Sequence, residues 1–69
     1  MNETGERIKE LRTEKKLTQS QLATHINFGH AIVGFWESGK RKPAADAIIA
    51  LCKFFNVSAD YLLGLSDNP

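Results

Sequence analysis

The spacing of the apolar residues constrains this chain more than any other feature of its sequence. They recur three and four positions apart in four segments, which is the period of one face of an α-helix. The segments are formed by Ile8 and Leu11, by Leu22, Ala23 and Ile26, by Val33 and Trp36, and by Ala45, Ile48, Leu51, Cys52 and Phe55. Apolar and polar residues nowhere alternate for long enough to indicate a β-strand. The sequence therefore predicts an all-α domain.

Residues that start and stop helices fall between these segments. Thr18 and Gln21 have the spacing of a capping box, and Ser58 can cap a further short helix. Residues that tolerate a left-handed backbone stand at the predicted helix ends, namely Asn27, Gly39, Asn56 and Gly64. The predicted helices run over about 4–16, 18–26, 30–38 (starting at 29 or 30), 44–55 and 58–63. They form one domain over 1–65, and 66–69 is expected to be a flexible tail or the start of a linker.

Composition and length exclude several classes of protein. The chain of 69 residues suffices for one small domain, and Cys52, as the only cysteine, cannot form an intrachain disulfide. The N-terminus lacks the basic and then apolar pattern of a signal peptide. The longest apolar run, 47–52, is too short to span a bilayer. We therefore expect a reduced, cytoplasmic protein that does not enter a membrane.

The sequence offers little for catalysis. His25 and His30 lie five positions apart, a spacing that fits neither a helical pair of metal ligands nor a known ligand motif. Because no strand is predicted, no glycine-rich phosphate loop follows a strand. We expect no enzymatic activity, no metal, no cofactor and no small-molecule substrate.

The charges favour a nucleic-acid partner by their distribution and not by their sum. Nine Lys and Arg against eight Asp and Glu leave a formal net charge of only +1. The basic residues are nevertheless concentrated in 40–42 and 15–16. A clustered basic surface is the part of the charge pattern that matters for binding to nucleic acid.

Three sequence blocks together resemble one family. They are LTQSQLA at 17–23, WESGKRKP at 36–43 and FNVSADYLLG at 55–64. In this order and spacing the chain is similar, over about 7–64, to the lambda-repressor-like, Cro/CI-type (XRE) helix-turn-helix domains. The resemblance implies a five-helix fold and a bacterial or phage-encoded, nucleoid-associated transcriptional regulator, expected to be a repressor. It also implies a homodimer on a palindromic operator in double-stranded DNA.

The resemblance assigns contacts with the DNA backbone as well. Family members touch phosphates with the start of the second helix and with the loop after the third, and the matching residues here are Thr18, Gln19, Ser38, Lys40, Arg41 and Lys42. The free N–H groups at a helix N-terminus also attract anions. Arg12 and Glu37 match a family ion pair between the first and third helices, which we expect to orient the scaffold.

The third helix departs from the family on its base-reading face. Where the family usually has Ser, Thr, Gln, Arg or Asn, the candidate base-reading residues here are His30, Ala31, Gly34 and Phe35. His30 can hydrogen-bond a base edge, and Ala31 and Phe35 can contact thymine methyl groups. Gly34 can let the backbone approach DNA closely.

These residues leave three interpretations open. In the first, the third helix, at about 30–38, reads the major groove through His30, apolar contacts and DNA shape. In the second, Ile32, Gly34 and Phe35 form a protein-binding patch, as in an antitoxin-like module with weak or lost DNA binding. In the third, Phe35 packs inward and the exposed face is less apolar than it looks.

The end of the domain carries more apolar residues than a short fifth helix needs, namely Tyr61, Leu62, Leu63 and Leu65. Tyr61, Leu62 and Leu65 are therefore candidates for a homodimer interface, which a palindromic operator would mirror. Ordinary core packing explains the same residues equally well.

Overall fold

The computed structural model describes residues 3–69, which form five α-helices and no β-strand. The helices are α1 (Glu3–Glu14), α2 (Gln19–Ile26), α3 (Ile32–Ser38), α4 (Ala45–Phe55) and α5 (Ala59–Leu62). The predicted all-α, five-helix fold is confirmed, although the first two residues of the predicted domain over 1–65 lie outside the described residues. Among the described helices, none has the length and apolar character needed to cross a membrane.

Four of the helices end in the same way, with a left-handed residue followed by an apolar one. The left-handed residues are Lys16, Asn27, Asn56 and Gly64, with φ values of 58°, 67°, 56° and 84°. The apolar residues after them are Leu17, Phe28, Val57 and Leu65. In each case the N–H of the apolar residue donates to the carbonyl five positions back, over 2.8 to 3.2 Å. These bonds satisfy carbonyl groups that a helix end leaves without a partner.

Of these four helix ends, the sequence pattern misplaces that of α1. The pattern predicts a helix to Lys16, but α1 ends at Glu14. Lys16 instead takes the left-handed conformation, and the Leu17 N–H closes the helix by donating to the Arg12 carbonyl at 3.2 Å. All four predicted terminators do have positive φ, including Gly39 after α3 at 83°.

The core is built from all five helices. Its buried apolar residues are Ile8, Leu22, Ala23, Ile26, Val33, Trp36, Ala47, Ile48, Leu51, Phe55 and Leu62. Helix α1 packs against α3 and α5, while α2 packs against α3 and α4. The predicted core position of Ala45 is wrong, since Ala45 is exposed and Ala47 is buried. Ala47, Leu51 and Phe55 lie four residues apart and so share one face of α4, which Ala45 does not.

The last residues fold back onto the domain. The sequence predicts a flexible tail or the start of a linker at 66–69 and gives no sign of these contacts. The Ser58 N–H donates to the Pro69 carbonyl at 2.8 Å. Arg7 Nη1 donates to the Ser66 carbonyl at 2.9 Å. The end of the chain therefore lies against both the start of α5 and the first half of α1.

Candidate nucleic-acid interface

The helix-turn-helix unit, α2 to α3, begins with a complete capping box. Thr18 Oγ1 accepts from the Gln21 N–H at 3.0 Å, and Gln21 Oε1 accepts from the Thr18 N–H at 2.8 Å, as the sequence predicts. Thr18, Gln19 and Gln21 are all exposed. Because the Thr18 hydroxyl oxygen is used as an acceptor, its proton is the group that it can offer to an outside acceptor such as a phosphate oxygen. The box thus fixes the start of α2 while its polar side chains stay at the surface.

A hydrogen-bond network joins the start of α2 to both α1 and α3. The predicted ion pair is present, with Arg12 Nε and Nη2 donating to the two oxygens of Glu37 at 2.7 and 3.1 Å. Arg12 Nη1 also donates to the Leu17 carbonyl at 2.7 Å. Gln19 Nε2 donates to Glu37 Oε1 at 3.1 Å. The Arg12 and Glu37 side chains are only 12% and 6% exposed, so this bidentate pair is shielded from water and fixed in geometry.

Gly34 lies against the Gln19 side chain. A Cβ atom at Gly34 would lie 3.1 Å from Gln19 Oε1 and 3.6 Å from its Cδ. The missing side chain therefore gives Gln19 room to lie across α3 and reach Glu37. This contact is a reason for a glycine in the middle of a helix, where it costs about 1 kcal/mol relative to alanine. The predicted close approach of Gly34 to DNA remains a prediction.

The loop after α3 holds its basic residues at the surface. Ser38 Oγ donates to the Phe35 carbonyl at 3.2 Å and accepts from the Lys40 N–H at 3.4 Å. Lys40, Arg41 and Lys42 are exposed. Arg41 differs from the two lysines because its guanidinium lies over the Phe35 ring, 5.4 Å from the ring centroid.

The two predicted groups of phosphate-contacting residues lie side by side. Gln19, at the start of α2, is bonded to Glu37, which directly precedes Ser38 at the end of α3. The start of α2 and the basic loop after α3 therefore form adjacent parts of one surface. Contact of this surface with phosphate remains a prediction.

Helix α3 starts later than the pattern predicts, which changes where two candidate base-reading residues lie. It begins at Ile32 and not at 29 or 30, because Gly29 to Ala31 form a turn in which the Ile32 N–H donates to the Gly29 carbonyl at 3.2 Å. Ala31 is the N-cap residue and makes no side-chain cap hydrogen bond. Neither Gly29 nor Ala31 offers the side-chain oxygen that starts a helix well. His30 and Ala31 therefore lie in the turn before α3, and both are exposed.

Phe35 is the large apolar residue on the outer side of α3. It is 37% exposed, so the alternative in which Phe35 packs inward is wrong. Val33 and Trp36 are buried, as their spacing predicts, and Ile32 is partly buried against the core. Of the large residues in the alternative protein-binding patch, Phe35 is therefore exposed and Ile32 is only partly so.

The candidate dimer residues separate into buried and exposed ones. The prediction of Leu62 at a dimer interface is wrong, because Leu62 is the residue of α5 that faces the core and has no exposed surface. Tyr61 is half-buried, with its ring centroid 4.2 Å from the Arg7 guanidinium carbon. Leu65 is 76% exposed and Leu63 is 46% exposed. The sequence does indicate an exposed leucine here, because Leu62 and Leu63 are adjacent and cannot both face the core from one helical turn.

Sequence reasoning misses the role of Arg7, which joins the two ends of the chain. Arg7 Nη1 donates to the carbonyls of Tyr61 (2.8 Å) and Ser66 (2.9 Å). Arg7 Nη2 donates to Glu3 Oε2 at 2.9 Å and to Asp67 Oδ1 at 3.1 Å. The spacing of Glu3 and Arg7 is visible in the sequence as a helical pair. The bonds to backbone carbonyls have no comparable sequence signal.

His25 and Cys52 are used in packing. The His25 ring stacks on that of Phe54, with 5.0 Å between centroids. Burial raises the pKa of the half-buried Cys52 thiol, which disfavours the reactive thiolate. In the part of the chain that the structure describes, no group of three or more His, Cys, Asp or Glu residues is placed to hold a metal ion.

Known proteins are similar to this chain over most of its length. The helix-turn-helix family profile matches residues 8–62. The uncharacterized HTH-type transcriptional regulator YobD of Bacillus subtilis (strain 168) is 39% identical over 64 residues, which is 93% of this chain and 57% of YobD. The HTH-type transcriptional activator BcrR of Enterococcus faecalis is 41% identical over 61 residues, which is 88% of this chain and 30% of BcrR. The chain thus spans just over half of one curated relative and less than a third of the other.

A solved structure has the same fold. The P22 c2 repressor protein, crystallised in complex with a synthetic operator, is similar with a TM-score of 0.85 at 30% identity. The match covers 91% of this chain and 96% of that one. Sequence profile and fold agree from α1 to α5, and the chain therefore belongs to the helix-turn-helix family, in its lambda-repressor-like, Cro/CI-type form.

Proposed function

We propose that this chain is the DNA-binding domain of a transcriptional regulator, and that it places α3 in the major groove of an operator. The network of Arg12, Glu37 and Gln19 carries this proposal, because side-chain bonds of 2.7 to 3.1 Å fix the start of α2 against α3. A fixed angle between these helices lets the second enter the groove while the first crosses the backbone. The similar P22 c2 repressor protein was crystallised in complex with a synthetic operator, which supports operator DNA as the partner.

In this arrangement the surface beside α3 contacts phosphates. Thr18 and Gln19 contact the backbone from the start of α2, where helix N–H groups add to the attraction for an anion. Ser38 contacts the backbone from the end of α3, and the basic residues at 40–42 contact it from the loop that follows. His30 and Ala31 meet the bases from the turn that precedes α3, and Phe35 meets them from the helix. Phosphate contacts position the domain, and the base contacts give it sequence preference.

The regulator acts as a homodimeric repressor in the bacterial cytoplasm, without catalytic activity. Support for the dimer comes from Leu63 and Leu65, which are 46% and 76% exposed beside α5. Two such leucines on each protomer give an apolar surface that a two-fold axis can pair with itself. The same two-fold axis predicts a palindromic operator with half-sites one helical turn apart.

DNA binding is tested by selecting bound sequences from a random pool of duplex DNA. The affinity for the selected sequence is then measured over a range of salt concentrations. Six to ten phosphate contacts predict a fall in affinity of about 10³ to 10⁵-fold between 50 and 200 mM salt. In the dimer, Lys40→Ala removes one cationic phosphate contact from each protomer, so it is expected to lower the salt slope by about 2 and to weaken binding to all sequences alike. Gln19→Ala is expected to weaken binding to all sequences with little change in slope, because it carries no charge.

Lys53→Ala is the matched control, since Lys53 is an exposed lysine in the last turn of α4. Equal salt slopes for the Lys40 and Lys53 variants would contradict the proposed docking.

Sedimentation of the parent chain and of Leu65→Ser at several concentrations tests the dimer. A parent that stays monomeric on and off a selected palindrome would contradict it.

A further inference from the structure

We propose that Phe35 and Arg41 form one reading unit for the C5-methyl group of a pyrimidine, carried either by thymine or by 5-methylcytosine. The inference rests on the proposed function, because it names the group that α3 recognises in the major groove. It starts from the exposure of Phe35, which is 37% exposed on the outer side of α3.

The packing of α3 leaves Phe35 as the main side chain that its helical turns can present to a groove. Val33 and Trp36 point into the core and fix the rotation of the helix. Gly34 has no side chain, and Gln19 lies against it. The Ser38 hydroxyl donates to the Phe35 carbonyl and is used within the turn.

An apolar reading residue has one apolar target on the base edges of the major groove. Each base pair there presents hydrogen-bond donors and acceptors, and thymine adds a methyl group at C5. A methyl group at the same position of cytosine is chemically equivalent for an aromatic ring. The exposed Phe35 ring therefore favours a C5-methyl group over any donor or acceptor pattern.

Arg41 is the positioning residue of this unit. Its guanidinium carbon lies 5.4 Å from the Phe35 ring centroid, and its backbone N–H donates to the Phe35 carbonyl at 3.2 Å. Both contacts join the loop to the same residue of α3, so Arg41 covers the Phe35 ring and restricts its motion. A restricted ring loses less conformational freedom when it binds, which strengthens its contact with a base. This gives Arg41 a role that Lys40 and Lys42 do not share.

Replacement of each thymine of the selected operator by deoxyuridine, one position at a time, tests the reading unit. This exchange removes the methyl group and leaves base pairing unchanged. We expect the parent chain to lose about four-fold in affinity at the position that Phe35 contacts, the value of one buried methyl group. Phe35→Ala is expected to bind the thymine and uracil operators equally at that position. Phe35→Leu keeps apolar bulk and is expected to retain part of the preference, which covers the case in which the alanine variant is unstable.

Cytosine and 5-methylcytosine at the same position distinguish the two sources of the methyl group. A gain of about four-fold on methylation of that cytosine would assign the methyl group on either base as the target. A preference for thymine over uracil without this gain would assign thymine alone. Both results support the reading unit.

The role of Arg41 needs a readout separate from charge. Arg41→Lys keeps the charge and loses the planar guanidinium, so we expect an unchanged salt slope and a smaller preference for the methyl group. Lys42→Gln is the matched control, with a lower salt slope and the full methyl preference. Arg41→Lys with the full methyl preference would overturn the positioning role.

Two results would overturn the reading unit. One is equal affinity for thymine and uracil at every position in a chain that still selects one sequence and depends strongly on salt, which leaves the proposed function intact. The other is equal methyl preference in the parent and in a folded Phe35→Ala variant. Absence of any DNA binding would overturn the reading unit and the proposed function together.

Discussion

Arg7 and Arg12 of α1 are alike in exposure and differ in what they bind. Their side chains are 13% and 12% exposed, and each makes at least three hydrogen bonds. Arg12 pairs with Glu37, whose side chain is 6% exposed. The carboxylate partners of Arg7, from Glu3 and Asp67, are 44% and 100% exposed. Arg12 thus belongs to a shielded ion pair, whereas Arg7 is held mainly by two backbone carbonyls.

This difference separates two ways in which an arginine joins helices. A shielded ion pair makes each partner dependent on the other, because either charge without its partner remains poorly hydrated. An arginine on backbone carbonyls depends little on the exposed carboxylates beside it, because water and salt screen them. The Arg12 region fixes the proposed DNA-binding surface, and the Arg7 region joins the chain ends. The two regions can therefore be perturbed separately.

Glu37→Ala is expected to have the largest effect of any change in either region. It leaves the shielded Arg12 guanidinium without a carboxylate and removes the acceptor of Gln19, and we expect a loss of about 3 kcal/mol in the free energy of unfolding. Urea denaturation measures this loss. Glu10→Ala, an exposed acidic residue of α1, is the matched control and should change stability by less than about 0.5 kcal/mol. Equal losses for the two variants would show that the Arg12–Glu37 pair does not stabilise the fold.

Arg7→Ala is expected to cost roughly half as much as Glu37→Ala. It removes the bonds to the Tyr61 and Ser66 carbonyls and the contact with the Tyr61 ring, but leaves no shielded charge behind. Hydrogen exchange at the Ser58 N–H, which is bonded to the Pro69 carbonyl, should become faster at the same time. DNA affinity per folded molecule should stay at the parent value. A drop in that affinity larger than the drop caused by Glu37→Ala would reverse the assignment of the two regions.

The two arginines also show what the sequence could predict. The Arg12–Glu37 pair joins two charged side chains that match a family ion pair, with Glu37 inside the block at 36–43, and the structure contains it. Of the Arg7 bonds, only that to Glu3 has a spacing visible in the sequence. Bonds to the carbonyls of Tyr61 and Ser66 depend on where α5 and the chain end lie, which is a property of the whole fold.

Helix ends follow the same division between side-chain chemistry and context. Asn27, Gly39, Asn56 and Gly64 were predictable because Asn and Gly tolerate positive φ. The left-handed conformation of Lys16 could not be predicted, since lysine has no such preference. The apolar Leu17 after it was nevertheless a usable sign of a helix end. The start of α3 was misplaced because Gly29 to Ala31 supply no capping side chain, so no residue marks the boundary.

Thr18→Ala and Ser58→Ala compare the helix starts next to the two arginines. Thr18 caps α2 beside Leu17, which Arg12 binds, and Ser58 caps α5 beside the folded-back chain end. We expect Thr18→Ala to lower the free energy of unfolding by about 1 kcal/mol, and Ser58→Ala by less because α5 has only four residues. Thermal unfolding measures both. Thr18→Ala should also weaken DNA binding, and a loss of affinity in Ser58→Ala instead would contradict the separation of the regions.

Asp67→Asn is expected to have the smallest effect, and it tests the comparison most directly. Asp67 lies 3.1 Å from Arg7 Nη2, but its side chain is fully exposed. An exposed ion pair contributes little, so we expect a change in Tm of no more than about 2 °C at low salt that disappears at high salt. Thermal unfolding of the parent, Asp67→Asn, Arg7→Ala and the double variant at two salt concentrations measures the coupling of the pair. If that coupling matched the effect of Glu37→Ala and persisted in high salt, exposure of the partner would not be what distinguishes Arg7 from Arg12. The difference would then have to come from the positions of the two arginines on α1, which lie five residues apart and face different neighbours.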